Sequence, residues 1–404
     1  MSTPNILFIS WQGGMGHVTR DLAIVRALHK IMPEVKVSWI AHPQAARFLT
    51  GAGERLLPET DQVADYNQIA APIVKNFRLD LVKYAKLSEA PKRQNARLAE
   101  QVQNKYRFDL IVGDEIYGVQ LELARRNIQL DCPVIMIEDF ISYRSLSRNP
   151  LMRLVAFMKN RNLVNYTEKT SPQIKHLFVG EWEDIPDRRF GYFLPHCREF
   201  ARKHYQAIGH IVRFNPEDYR DKAAIRKKLG YGPGPLIICA TGGTAAGKDL
   251  LELCGRAYSI LKQEMPDLHM VFVCGELYGK EPPQLPGDAE LHHFLPDIYE
   301  HYAACDLAVI VGGGTTSIEL TALQRPFLFF PLENQFDQQL YVSERIARHG
   351  AGVRMNYRKT TPEMLAQAIL ENIGKKIKTK PIPIDGARKA AEIIIKYLNP
   401  KFRK

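Results

Sequence analysis

Three glycines, three hydroxyl residues and a carboxylate in close succession, Gly312-Gly313-Gly314-Thr315-Thr316-Ser317-Ile318-Glu319, make up the stretch of this chain best suited to holding an anion. An apolar run predicts a buried strand at 306–311, and periodicity predicts a helix at about 317–324 and a second strand at 327–330. Glycines directly after a strand let the backbone approach a ligand closely, and the N–H groups of Thr315, Thr316 and Ser317 can point at an anion from the helix N-terminus. Glu319, one turn inside, is placed to accept hydrogen bonds from both hydroxyls of a ribose. Thr316 to Glu319 also fit a capping box, which would make Glu319 a helix-start device. The next loop favours the ligand reading: Glu333-Asn334-Gln335-Phe336-Asp337-Gln338-Gln339 sets amide and acidic side chains after the second strand, where α/β sheets open their ligand crevice.

A second constellation lies near the start. A strand at 5–11 runs into Gln12-Gly13-Gly14-Met15-Gly16-His17, followed by an amphipathic helix at about 18–30. The turn is not G-x-G-x-x-G, so a dinucleotide fingerprint is not met. His17 falls at a helix N-terminus, where the positive end of the dipole favours the neutral, proton-accepting ring; a histidine capping its own helix is the plainer alternative. Asp114 follows the strand at 109–112 and is the candidate partner that would hold the imidazole through Nδ1. Glu115, Glu138 and Asp139 are further acceptor-side candidates, and a helix N-cap is the structural alternative for Asp114. Arg20 reads either as a phosphate or acceptor contact or as an exposed helix residue.

The run GGGTTSIELTALQRPFLFFPLENQFDQQ resembles the nucleotide-sugar site of GT-B glycosyltransferases, in the branch that contains the peptidoglycan N-acetylglucosaminyltransferase and the plant galactolipid synthases. The resemblance implies that Gly313, Gly314, Thr315 and Thr316 lie by the diphosphate, that Glu319 holds the ribose, and that Asp337 and Gln338, with Asn334 beside them, face the donor sugar. GGMGHVTRDLAIVRAL resembles the first loop of these enzymes, with Gly14 and Gly16 on the donor side; in the small-molecule branch a histidine there is the base and is paired with an aspartate. The segment 208–213 resembles the entry to the second domain, where an arginine, here Arg213, reaches the donor phosphates. Gly242, Gly243 and Thr244 fall in the glycine turn that grips the diphosphate, and Leu295 matches the position whose backbone pairs with uracil. Read as a pattern alone, Gly242 to Lys248 is G-x-x-x-x-G-K, but Asp249 replaces the Ser/Thr that a P-loop needs for magnesium.

Length and composition agree with this reading. A chain of 404 residues, 45% hydrophobic and 25% charged, is of soluble globular type and long enough for two domains. The expected fold is α/β, of GT-B type, with two Rossmann-like domains whose parallel sheets face across a cleft. Residues 1–208 would form the acceptor-binding domain and 209–385 the nucleotide-sugar-binding domain. Residues 386–404 would be a basic helix and tail crossing back to the first. The apolar start lacks a basic leader and nothing approaches a ~18-residue membrane span, so a cytoplasmic protein is expected. Six cysteines without C-x-x-C spacing read as buried thiols. The net charge of +11 is concentrated: residues 140–205 hold twelve Lys/Arg against six Asp/Glu, and residues 374–404 hold ten against two. Such patches suit an anionic membrane or a phosphorylated acceptor, or are simply solvated; nucleic acid is not expected. Residues 151–158, LMRLVAFM among arginines and lysines, fit either a membrane-interface helix or a core helix, and the core is favoured. One or two long helices over 66–106 and a hinge at 230–235 complete the layout.

The function expected is inverting, metal-independent transfer of a sugar from a UDP-sugar to an acceptor hydroxyl, lipid or small molecule, with no cofactor beyond that co-substrate. A rival on the same scaffold is a nucleotide-sugar hydrolase, since Gly14-Met15-Gly16-His17-Val18-Thr19-Arg20 fits its G-x-G-H-V-x-R turn. A rival of another class is a non-catalytic nucleotide-sugar-binding subunit docked to a membrane partner.

Overall fold

Apolar runs of five or six residues, NILFIS, LIVGD, VIMIE, LIICA and LAVIV among them, become strands buried along almost their whole length, as parallel sheets flanked by helices require. The computed structural model describes residues 3–75, 77–242, 247–275 and 282–399. In chain order its strands are β1 (Asn5–Ser10), β2 (Lys36–Ala41), β3 (Val74–Lys75), β4 (Arg78–Leu79), β5 (Leu110–Asp114), β6 (Val134–Glu138) and β7 (Ile174–Val179). They continue as β8 (Tyr205–Gly209), β9 (Leu236–Ala240), β10 (His269–Val273), β11 (Glu290–His292), β12 (Leu307–Val311), β13 (Phe327–Phe330) and β14 (Val353–Arg354).

The chain divides into two compact units. Met1–Tyr66, Ala85–Ile211 and Pro383–Lys404 form the first; Asn67–Tyr84 and Val212–Ile382 form the second. The first carries a parallel sheet in the order β2-β1-β5-β6-β7-β8, and the second a parallel sheet in the order β11-β10-β9-β12-β13-β14. This is the GT-B architecture of two Rossmann-like units. In the first core, Val18, Leu22 and Val25 of the Met15–Ile31 helix pack with Ala390, Ala391 and Ile394 of the Gly386–Leu398 helix and with Phe8 and Trp39. Each fully buried aliphatic side chain there is worth about 1.5–3 kcal/mol.

Strand order also fixes where ligands can sit. In the first unit β1 has β2 on one side and β5 on the other, so the loops leaving β1 and β5 diverge and leave a crevice at the strands' carboxyl ends. In the second unit β9 lies between β10 and β12, and the loops leaving β9 and β12 diverge in the same way. His17 and Asp114 fall at the first switch point; Gly242 and Gly313 fall at the second.

Three local expectations change. Residues 66–106 are not all helix: a short helix at Tyr66–Ala70 is followed by the antiparallel β3–β4 hairpin, which belongs to the second unit, before the helix Leu81–Tyr106. Asp114 is the last residue of β5 and the N-cap of the next helix is Ile116, which removes the capping alternative. The helix Pro150–Thr170 buries Leu163 and Val164 but exposes Leu151, Leu154, Val155 and Met158, so its first half is not a core helix. Its apolar residues there are spaced to form a stripe opposite the face that meets the sheet. Tyr192 and Phe193 are also exposed, Phe193 completely and in left-handed backbone at φ 61°. Gly191 lies against Phe157 of the same helix, which brings that exposed turn beside the stripe.

Candidate active site

His17 sits in the first turn of the Met15–Ile31 helix because Gly14, at φ 88°, allows the chain to turn out of β1 in a conformation that a side chain would strain. Gly14 is itself the N-cap, with no capping side chain and no acid in the first turn. His17 Nδ1 lies 3.1 Å from Asp114 Oδ1. Arg20, one helical turn on, is 5% exposed and aims its guanidinium at the same carboxylate: Nε donates to Oδ2 at 2.5 Å and Nη2 to Oδ1 at 2.6 Å. Nη1 donates to Asp139 Oδ2 at 2.7 Å. Arg20 is the residue that local sequence reasoning left undecided, and its three-residue spacing from His17 is what puts both on one helix face.

The electrostatics follow from burial. Desolvation would raise the Asp114 carboxyl, but the Arg20 guanidinium, then His17, hold it well below the usual carboxylate range. Asp139 is lowered against its own desolvation, again by Arg20 first. Glu115 goes the other way: burial pushes it well above the usual range and the neighbouring Asp139 and Asp114 add to the shift. Asp21, fully buried behind Asp114, is likewise raised, by burial and then by Asp114. Arg20 thus holds Asp114 and Asp139 as anions around His17, while burial works against the charged forms of Glu115 and Asp21. Arg20 Nη2 also lies 3.0 Å from His17 Nδ1, so this ring nitrogen faces both the carboxylate and the guanidinium, and Nε2 is the one that neither occupies.

Of the other acceptor-side candidates, Glu115 and Asp139 join this cluster. Glu115 has left-handed backbone at φ 49°, its carbonyl accepts from Gln12 Nε2 at 2.5 Å, and its Oε1 is buried without a hydrogen-bond partner. Strain and an unsatisfied acid beside a base are features that cluster at functional sites. Glu138 does not join: it turns to His176, 2.6 Å away and fully buried, and is used in that internal contact. His17, Asp114 and Glu115 bring ligand-type atoms within 4.8 Å of one another. Both oxygens of Asp114 already accept from Arg20, whose guanidinium supplies positive charge to that carboxylate.

In the second unit the helix after β12 begins at Gly314, earlier than periodicity predicted, with Gly313 as N-cap and no side chain capping it. Glu319 therefore lies in its second turn, and the capping-box alternative falls away. Thr315 and Thr316 occupy the first turn, as a phosphate cradle needs. Gly312 must be glycine because a Cβ there would stand 2.9 Å from Pro331 Cα. Arg213 and Glu319, far apart in sequence, are brought together at 3.3 Å, and the arginine also lies over the Tyr299 ring at 4.9 Å. Gly242 ends the strand-to-loop turn after β9 at φ 68°, while Gly243 and Thr244 lie outside the described residues. Leu295 stands half-buried just before the Ile298–Ala304 helix, whose N-cap is Asp297, so Pro296 precedes the cap. Asp337 opens a π-helical turn, Asp337–Val342, half-buried. Two amides expected to face the sugar have partners within the protein. Gln338 Oε1 accepts from the Leu332 N–H at 2.9 Å, and the Asn334 side chain accepts from the Leu79 N–H at 3.2 Å and donates to the Leu79 carbonyl.

The fold is of GT-B type, with a histidine-carboxylate pair in one unit and a glycine-led helix start that no side chain caps in the other. Residues 237–394 match the family model described as glycosyltransferase family 28 C-terminal domain. Among curated relatives, an uncharacterized glycosyltransferase of Methanopyrus kandleri is 24% identical over 189 residues, 46% of this chain and 53% of that protein. The UDP-N-acetylglucosamine–N-acetylmuramyl-(pentapeptide) pyrophosphoryl-undecaprenol N-acetylglucosamine transferase of Mycolicibacterium vanbaalenii is 21% identical over 365 residues, 88% of this chain and 79% of that one. The chain spans about half the length of the Methanopyrus protein and of the corresponding transferase of Glaesserella parasuis, 53% and 56%. Among solved structures, the glycotransferase of kitacinnamycin superposes with a TM-score of 0.59 at 16% identity, covering 98% of this chain and 95% of that one. MurG of Acinetobacter baumannii gives 0.50 at 17% identity, covering 97% and 95%. The chain is a GT-B protein related to the MurG-like N-acetylglucosaminyltransferases.

Proposed function

We propose that this protein is an inverting glycosyltransferase that moves a sugar from a UDP-sugar to an acceptor hydroxyl. The observation that carries the reading is the His17–Asp114–Arg20 arrangement, in which a buried, fully ionised carboxylate orients a histidine at a helix N-terminus. His17 Nε2 takes the proton of the acceptor hydroxyl as its oxygen bonds to the anomeric carbon; the bond from that carbon to the diphosphate breaks, and UDP leaves with the electron pair. Asp114 stabilises the imidazolium, and Arg20 keeps Asp114 ionised and in register. On the donor side, Gly313, Gly314, Thr315 and Thr316, together with Gly242, meet the developing negative charge with main-chain N–H groups, and Arg213 adds a full charge. Glu319 takes the ribose hydroxyls, exchanging part of its contact with Arg213 for them. Asp337 meets the sugar, in a loop that Asn334 and Gln338 hold in shape. Helix starts and Arg213 supply the positive charge that a divalent ion would otherwise bring, so metal independence is part of the proposal.

The related transferases are named for UDP-N-acetylglucosamine and an undecaprenol-linked acceptor, which makes that donor the first to test and a lipid-linked hydroxyl the favoured acceptor class. The exposed stripe of the Pro150–Thr170 helix, with Tyr192 and Phe193, supports docking on an anionic bilayer. Arg144, Arg148, Arg153, Lys159 and Arg161 surround it, and the sequence has no acid between 140 and 167. Among the described residues no helix is long and apolar enough to cross a membrane.

The test is incubation with UDP-N-acetylglucosamine and related donors, with and without acceptor lipid extracts. Transfer that falls by about 10²–10⁴ in His17→Ala, with donor affinity retained, supports the proposal. Sugar released at full rate without acceptor would identify a hydrolase instead. Donor binding without turnover, with cellular activity untouched by His17→Ala, would identify a binding subunit.

A further inference from the structure

The β3–β4 hairpin is a feature that neither the fold class nor the proposed chemistry requires. It comprises two pairs of residues, Val74 with Leu79 and Lys75 with Arg78, far too few to be stable alone. Its flanking residues Tyr66 and Ala85 belong to the first unit, yet the hairpin is built into the second. Phe77, at its tip, is fully buried in the second unit's core in left-handed backbone at φ 59°, a conformation a bulky residue rarely keeps. Both of its backbone groups are used. The N–H donates to Asp249 Oδ2 at 2.8 Å, in the first turn of the Gly247–Glu264 helix, and the carbonyl accepts from the Glu333 N–H at 3.4 Å. Its ring stacks on Tyr357 at 4.8 Å, and the Tyr357 hydroxyl reaches the Asp249 carbonyl at 3.4 Å. Two residues on, the Asn334 side chain bonds both backbone groups of Leu79.

The hairpin therefore ties together two segments that leave different strands: the helix start that follows β9 and the loop that follows β13. The N-terminal turn at 313–316 is set by β12 and its own helix. We propose that the hairpin is a positioning arm of the donor site, with Phe77 and Asn334 fixing the 333–339 loop so that it contacts the transferred sugar, and that it sets the preference for the sugar-bearing nucleotide over the bare nucleoside diphosphate. This rests on the donor reading above. Asp249, which spoils the P-loop pattern, acquires a reason on this view: its carboxylate holds the arm and leaves the phosphates to main-chain groups.

Asn334→Ala removes the two Leu79 contacts without touching the core, and Phe77→Leu keeps apolar volume while losing the stack. Three readouts apply to each: calorimetric affinity for UDP and for UDP-N-acetylglucosamine, amide hydrogen exchange of 74–79 and 333–339 without ligand, and thermal midpoint. In Asn334→Ala, exchange should rise in both segments together. Affinity for the UDP-sugar should fall about tenfold, the size of one or two hydrogen bonds, while UDP binding stays within about threefold. Asn334→Asp, which keeps the acceptor to the Leu79 N–H, should recover part of the loss. A parallel fall for both ligands, or unchanged exchange at 74–79, overturns the proposal. If the parent protein binds neither ligand, the donor reading itself fails and this role in sugar preference goes with it.

Discussion

Arg20→Met places the sharpest demand on this account. The guanidinium is 5% exposed and makes three charge-assisted hydrogen bonds, two to Asp114, which is 1% exposed, and one to Asp139, whose side chain is 32% exposed. Methionine fills most of the volume but leaves Asp114 as a buried anion without its cation. Removing one partner of a buried pair costs about 3–5 kcal/mol. An independent bound comes from the carboxyl's ability to neutralise itself. Protonating a carboxyl whose ordinary pKa is 3.8 at pH 7 costs about 4 kcal/mol, at 1.36 kcal/mol per unit, and the folded protein will take that route if ionisation costs more. In the parent, Asp114 is depressed in the folded state, so its stabilisation is fully present above the unfolded value near 3.8 and is lost only as pH falls below it. In Arg20→Met it is raised, so stability falls as pH rises above that value. The gap between the two proteins should therefore be about 4 kcal/mol or more at pH 7 and should shrink by up to about 2.7 kcal/mol on going to pH 5, at 1.36 kcal/mol per unit. All three tryptophans, Trp11, Trp39 and Trp182, lie in the first unit, so urea unfolding followed by tryptophan fluorescence reports that unit alone, which matters because a chain of two units need not unfold in one step. Arg20→Met/Asp114→Asn, with neither charge of the main pair, should regain most of the loss. A gap under about 1 kcal/mol at pH 7, or one that does not shrink on acidification, would refute the charge network.

Other outcomes follow from the same structure. Glu115→Gln should stabilise the first unit at pH 7, because the parent carboxyl, raised in the folded state, loses stability as pH climbs above its unfolded value near 4.5; urea midpoints of the two proteins should converge near pH 4. Glu319→Ala should weaken UDP by about tenfold or more through lost ribose contacts, read by calorimetry, while leaving tryptophan-detected unfolding of the first unit unchanged. Leu154→Glu/Phe193→Glu should abolish co-sedimentation with vesicles containing anionic lipid and leave turnover of a water-soluble acceptor within about twofold; unchanged sedimentation would show that the exposed stripe is not a membrane surface.

Much of this was open to reading along the chain. Strand–glycine turn–helix units announce themselves by apolar runs of five residues, glycines and 3.6-residue periodicity, all of them local, so β1, β12 and β13 and the placement of His17 and Gly313 at strand ends followed from the amino-acid sequence alone. Asp114 was legible only as one of four carboxylates that could face His17, with Glu115, Glu138 and Asp139, and it took the pairing of β1 with β5 to bring it within 3.1 Å. Tertiary structure alone decided the rest. Arg20 and Asp114 are separated by 94 positions, and no local pattern tells a buried helix arginine from an exposed one. Asn334 meets Leu79 across 255 positions, and a two-residue strand has too few residues to show any period. The Pro150–Thr170 helix carries apolar residues on more than one face, and only the packing of its neighbours determines which of them water still reaches. Periodicity records what a segment is able to bury; the partner that buries it is set by chain closure over long separations, where side-chain pattern carries no address.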